Sequence, residues 1–198
     1  MLTPAQIVTF DDTPPPPGLS PWVGEPEQPR RIAVVEPDAA WPATFAALRD
    51  RIVEVLGDRA LVVEHVGSTS VPGLAAKPVI DIDLTVADTD DEDSYVPGLE
   101  AVGFVLRVRE PWWLGHRCLV ASVPAANVHV WPPDSPEAAR HRLFRDHLRA
   151  HAPDRALYAR IKREVAADGL MSEYNARKQA TIREIYARAF VAAGLRPA

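Results

Sequence analysis

The nine residues from Pro78 to Val86, Pro-Val-Ile-Asp-Ile-Asp-Leu-Thr-Val, constrain this chain more than any other segment. Successive side chains of a strand point to opposite faces. Ile80, Ile82, Leu84 and Val86 therefore share one face, and Asp81, Asp83 and Thr85 share the other. One face builds a core while its back carries two acids whose α-carbons lie about 6–7 Å apart. Two unit charges at ~4 Å repel by on the order of 4 kcal/mol at an effective dielectric near 20. A cation is expected to offset this, and a hard divalent ion with oxygen ligands, Mg²⁺ above all, suits the pair. The alternative is a solvated strand face with two acids and no ligand.

The turn before that strand weighs toward a ligand. Gly67 permits a tight bend or a close approach of backbone to ligand. Ser68, Thr69 and Ser70 bring hydroxyls, and the amides of such a turn can face an anion. Lys77 stands between turn and strand as a cation for phosphate. Alone, Gly-Ser-Thr-Ser is a plain turn. Followed so closely by Asp-x-Asp, it puts phosphate-binding groups beside a metal site.

Around this block the chain reads as a mixed sheet with flanking helices and a helical C-terminal part, an α/β (α+β) fold. Residues 1–30 are rich in proline, with four in a row at 14–17, and are expected to form an arm outside the core, extended as polyproline II. Trp22 and Val23 are candidates for pinning it. Residues 31–198 are expected to form a single domain. "RIAVVEP" and "ALVVEHVG" read as strands. Trp41, Phe45, Leu48, Ile52, Val55 and Leu56 recur at helical spacing, with Gly57 placed as the C-terminal cap. "DEDSYVPGLEAVG" reads as a short helix with an irregular start. "FVLRVRE", "HRCLVASV" and "ANVHVW" read as strands, with a hairpin across "PWWLG". Beyond Pro133 the pattern is helical, with Ser135 capping and Pro136 in the first turn.

Bulk properties remove several classes. The net charge of -5 argues against a non-specific nucleic-acid binder. One cysteine, Cys118, excludes an intramolecular disulfide and fits a reducing cytoplasm. No apolar run reaches the roughly 20 residues of a membrane span, and the N-terminus lacks a basic-then-apolar signal pattern. A cytoplasmic protein is expected.

The block from Glu64 to Val86, "EHVGSTSVPGLAAKPVIDIDLTV", closely resembles the signature of the GrpB-like (UPF0157) proteins, within the nucleotidyltransferase superfamily that includes DNA polymerase β. "VVEPDAAWPATFAALRDRI", "NVHVW", "SPEAARHRLFRDHLRAH" and "LYARIKREVA" extend the likeness over roughly residues 31–190. The resemblance implies that Gly67 and Ser68 hold terminal phosphates and that Asp81 and Asp83 bind metal. The superfamily usually adds a third carboxylate on a neighbouring strand. Here that strand offers Asn127 and His129, where GrpB-like proteins usually show His-x-His. His129 reads as a metal ligand, a general base or a hydrogen-bonded structural histidine.

Further cations complete the picture. His116 and Arg117 are placed near the sheet cleft. Arg145 lies in the family-like "FRD" segment, with Arg149 one turn on. Lys178 follows Tyr174 at one-turn spacing, and Lys162 reads as a surface lysine. Trp112 and Trp113 sit at the hairpin tip, to stack on a ring or pack on the body. The implied activity is Mg²⁺-dependent nucleotidyl transfer from ATP or another nucleoside triphosphate to an unidentified acceptor. A carboxylate acceptor would give an acyl-adenylate. The alternative is a non-catalytic nucleotide-binding or accessory domain with a degenerate metal site, as GrpB-like domains also occur fused to dephospho-coenzyme A kinases.

Overall fold

The computed structural model describes residues 1–11, 13–26, 33–168 and 171–196, with side chains described outside 165–178. Five strands form one mixed sheet: β1 (Val62–Val66), β2 (Ile80–Thr85), β3 (Val105–Glu110), β4 (His116–Ser122) and β5 (Ala125–Trp131). Their order is β1-β2-β5-β4-β3. Only the β2–β5 pair is parallel; β1–β2, β3–β4 and β4–β5 are antiparallel. The hairpin across residues 111–115 is the β3–β4 connection.

The alternation of β2 decides the layering. Ile80, Ile82 and Leu84 are at most 2% exposed and pack with Val128, Val130 and Leu119. Leu48, Ile52 and Leu56 of helix α2 (Trp41–Leu56) and Leu99 of α3 (Val96–Ala101) close this face. Gly57 ends α2 at φ 55°, in the left-handed region that favours glycine. The opposite, acid-bearing face is covered by α4 (Pro136–Ala150), α5 (Ala152–Asp168) and α6 (Met171–Ala192). There Val71, Leu74, Leu148, Tyr158 and Ile185 form a second, smaller core. Ser135 caps α4 by accepting from the Ala138 amide.

Two segments depart from the sequence pattern. "RIAVVEP" forms no strand among its described residues. Only Val35 pairs, exchanging both backbone hydrogen bonds with Ala76. Its partner segment is a turn between Pro72 and Pro78, which offers a single residue in register. The arm holds a short helix, α1 (Pro4–Val8), begun by a Thr3–Gln6 capping box. Residues 13–20 are exposed, but on either side the arm is seated on the body. Val23 and Arg109 bond backbone groups across to β3 and Pro21, extending the sheet edge.

Arg140 of α4 holds the other end of the arm. Fully buried, it donates to the carbonyls of Ile7 (3.0 Å) and Thr9 (2.9 Å), pairs with Glu137 and lies 5.0 Å from the Phe10 ring centre. Arg140→Ala is expected to cost about 3 kcal/mol, because the partly buried Glu137 loses its guanidinium partner and the arm carbonyls lose their donor. It should also expose the arm to limited proteolysis. An arm that resists cleavage as well in the variant as in the wild type would contradict this anchoring.

Candidate functional site

The parallel pairing of β2 and β5 sets Asp81 opposite Asn127 and Asp83 opposite His129. The Asn127 amide donates to Asp81 Oδ1 at 2.9 Å. Asp83 is 2% exposed. Trp131 Nε1 donates to its Oδ1 at 2.9 Å, and His141 Nδ1 of α4 stands 3.0 and 2.9 Å from its two oxygens. The two acids thus share a face but not an environment. Asp81 borders a cavity, and Asp83 lies sealed beneath Trp131 and His141.

The turn is pressed against Asp81. Gly67 has φ 66° and ψ −170°, and a Cβ built there would fall on the Asp81 carboxylate, only 2.8 Å from Asp81 Cβ. Ser68 faces the cavity near the buried Tyr158 hydroxyl; burial makes that hydroxyl hold its proton more tightly, and Ser68 partly opposes this. Thr69 and Ser70 turn away and brace the loop. Thr69 Oγ1 donates to the Val79 carbonyl (3.2 Å) and lies 3.1 Å from His65 Nε2. Ser70 Oγ donates to the Gly67 carbonyl (2.6 Å).

The cavity between sheet and C-terminal helices has a volume of about 420 Å³. Gly67, Ser68, Asp81, His129, Glu137 and His141 form its polar side. Phe10 from the arm, Trp113 from the hairpin and Tyr186 from α6 form much of the rest. Phe10 packs edge-on to Tyr186, with the Arg183 guanidinium 3.5 Å from its ring centre. Trp113 Nε1 donates to the Asp11 carbonyl at 3.0 Å. An apolar pocket with a few convergent polar groups is the usual form of a small-molecule site.

Two imidazoles reach this cavity with opposite electrostatics. Burial, with His116 and His141 nearby, holds His129 down to about 3, against a smaller opposing pull from Asp83. Burial also lowers His141, but Asp83, helped by Glu137 and Asp81, outweighs it and raises the group overall. His129 is therefore neutral at pH 7, and His141 carries charge more readily than a free histidine.

A family profile described as "GrpB protein" matches residues 31–188. The chain belongs to the GrpB family. A UPF0157 protein of Halalkalibacterium halodurans is 48% identical over 160 residues, covering 80% of this chain and 82% of that one. A UPF0157 protein of Streptomyces coelicolor is 45% identical, covering 84% and 88%. A dephospho-CoA kinase of Mycolicibacterium paratuberculosis is 34% identical, covering 80% of this chain but only 46% of that one. The crystal structure of conserved protein GrpB from Enterococcus faecalis superposes with a TM-score of 0.73 at 29% identity, covering 82% of this chain and 99% of that one. The arm and its Phe10 precede the GrpB match, so one wall of the cavity comes from outside it. Among the described residues, no helix is long and apolar enough to cross a membrane.

Not every residue expected at the GrpB site reaches the cavity. Lys77 is exposed on the loop outside its walls. Arg117 lies on the other face of the sheet, because it pairs with Val130 while Cys118 pairs with His129. There it is 3% exposed and donates to Glu92 (2.9 Å) and Asp90 (2.7 Å). Arg145 ties α4 to β1, donating to Glu64 (2.6 Å) and the His65 carbonyl (3.0 Å). Arg149 donates to the Ser70 carbonyl. The Lys178 side chain lies outside the described residues. Lys162 is no surface lysine: 4% exposed, it donates to the Ala75 carbonyl at 2.7 Å. Sequence reasoning misses His141 and Glu137, one turn apart on α4. Their spacing is visible in the chain, but the link to Asp83, 58 residues away, is not.

The donors at hand do not fit a protein-held magnesium site. Magnesium prefers an octahedral oxygen shell. Asp83 is engaged by Trp131 and His141, and Asn127 and His129 stand where a third acid was expected. Among the described residues, no group of three or more His, Cys, Asp or Glu could hold a metal ion. Of the three expected magnesium ligands, Asp81 and His129 line the cavity, with the Glu137 carboxylate also on its wall, while Asp83 is buried behind Trp131 and His141.

Proposed function

We propose that this GrpB-family chain is a nucleotidyltransferase that takes ATP or another nucleoside triphosphate as its magnesium complex. Magnesium then enters as part of the substrate. The observation that carries the reading is the contact of the Gly67 turn with Asp81 on the floor of the cavity, which leaves no side chain between backbone and carboxylate. Phosphate oxygens can approach the Gly67–Ser68 backbone and the Ser68 hydroxyl, with Asp81 facing the magnesium side of the substrate. His141 on α4, held toward its charged form by Asp83, can favour a phosphate, and aromatic rings offer faces to a base. Holding the acceptor in line with the α-phosphorus is the protein's main contribution to rate.

A second reading, nucleotide binding without transfer, is favoured by the sealed Asp83 and the absent third acid. Thermal shift with MgATP tests what the two share. The wild type should be stabilised by about 2.7 kcal/mol when MgATP is present at ~100 times Kd. Asp81→Asn, which keeps the shape and removes the charge, should lose most of that shift. No stabilisation by any nucleoside triphosphate would sink both readings. Pyrophosphate release against an acceptor panel then separates transfer from binding.

A further inference from the structure

A line of hydrogen bonds runs from the cavity to the end of β3. Glu110 Oε2 lies 2.8 Å from His116 Nδ1, and His116 Nε2 lies 3.1 Å from His129 Nδ1. His129 lines the cavity, His116 is 5% exposed, and the Glu110 side chain is 24% exposed. The middle of the line is thus buried and its outer end meets water.

Donor and acceptor roles along this line follow from chemistry. A carboxylate only accepts, so His116 Nδ1 must donate to Glu110. With His116 neutral, hydrogen on Nδ1 leaves only a lone pair on Nε2, which accepts from His129 Nδ1–H; a cationic His116 would donate there instead. His129 Nε2 is left with a lone pair. Trp131 holds the His116 ring from one side, stacked at 4.4 Å, and Trp113 meets it edge-on at 5.2 Å. The same rule makes Asp83 accept from His141 Nδ1–H, so the neighbouring imidazole is held by a separate carboxylate.

We propose that Glu110, His116 and His129 form a proton wire leading from the cavity to solvent, and that the acceptor is one with a proton to lose, a hydroxyl or an amine. The second half rests on the transfer reading above. As the acceptor's oxygen or nitrogen bonds to the α-phosphorus, the P–O bond to the leaving group breaks and pyrophosphate departs with its electron pair. The acceptor's proton goes to His129 Nε2. The Nδ1 proton of His129 passes to His116 Nε2, and the Nδ1 proton of His116 passes to Glu110 Oε2, where water can take it. The groups facing His129 fit this use. Burial above all makes a charge on its ring costly, His141 on α4 adds to that, and Asp83 on β2 does not offset it. A ring held down to about 3 stores a proton poorly and has reason to pass it on. A carboxylate acceptor arrives already deprotonated and has no use for such a wire. His129 is the catalytic residue; His116 and Glu110 act through it as positioning residues.

The wire has a spectroscopic signature that does not need turnover. In the full chain labelled with ¹⁵N-histidine, long-range ¹H–¹⁵N spectra at pH 7 should show His116 and His129 both as Nδ1–H tautomers. Finding His129 as the Nε2–H tautomer or as the cation would overturn the wire. His116→Phe keeps a stacked ring but removes the acceptor, and His129 should shift toward Nε2–H. Glu110→Ala, at a partly exposed position, should release both rings. A tautomer at His129 unchanged in these folded variants would also overturn the wire. For the acceptor class, pyrophosphate release with hydroxyl or amine acceptors should fall by roughly 10²-fold or more in Glu110→Ala. Release with carboxylates only, unchanged in that variant, would overturn the class. Failure of MgATP to bind would remove the transfer reading and the acceptor class with it, while the tautomers decide the wire alone.

Discussion

Gly67→Ala is expected to lose far more stability than Gly57→Ala, although both glycines have positive φ. A Cβ added at Gly57 would meet nothing within 4 Å, so alanine there suffers backbone strain alone. That strain is worth about 1–3 kcal/mol. At Gly67 the same kind of strain is joined by overlap with Asp81, whose Cβ is 2.8 Å from the added atom. Overpacking of this sort adds about 1–3 kcal/mol, and β2 cannot retreat because Asn127 and β5 hold Asp81 from the far side. Urea unfolding of the two variants measures the difference directly. Gly67→Ala should also abolish the MgATP thermal shift, since the approach to the turn is filled. Equal losses in the two variants would show that the turn is not pressed against Asp81.

Acid should unfold the protein well before its carboxylates titrate. His65 is 8% exposed, stacked on Phe45 at 4.6 Å, and burial, with Arg149 and Arg145 nearby, holds it down to about 4. In the unfolded chain it titrates near 6.5, so the unfolded state binds more protons across that interval. Stability is therefore fully present above pH 6.5 and lost as pH falls toward 4. For His65 the loss is about 3 kcal/mol. His129, held down to about 3, acts in the same direction. His141 opposes them: its raised value stabilises below its unfolded value and is lost as pH rises through the folded one. Glu92, Asp146 and Asp154, all held below the usual carboxylate range, add losses only at lower pH. Urea unfolding at about pH 7 and about pH 4.5 should differ by several kcal/mol, and His65→Phe should flatten that slope. Identical stability at the two pH values would refute this.

The layering and the acid face were legible because β2 alternates cleanly, one side apolar and one side charged. The turn was legible because glycine followed by three hydroxyl residues has few uses before a strand. Arg117 was misplaced for a definite reason: residues 116–119 are buried on both faces, so β4 has no alternation to set its parity. The difference in role between Asp81 and Asp83 depends on Trp131 and His141, each tens of residues away, and no local pattern encodes that pairing. The capping box that starts α1 is present in Thr3-Pro4-Ala5-Gln6, but the prolines after it point to an extended arm and mask it.

Phe10 of the arm rests on Tyr186 and Phe190 of α6, far along the chain from it. Contacts between such distant parts of a chain form late, since a large loop must close before they return any energy. During synthesis the sheet and its first helices can assemble while this wall of the cavity does not yet exist. Competence to retain a ligand would then arrive in one step, once α6 has left the ribosome and met the arm. A ribosome-bound fragment lacking α6 would hold all five strands with Asp83 already sealed by Trp131 and His141, while Asp81 still faces water.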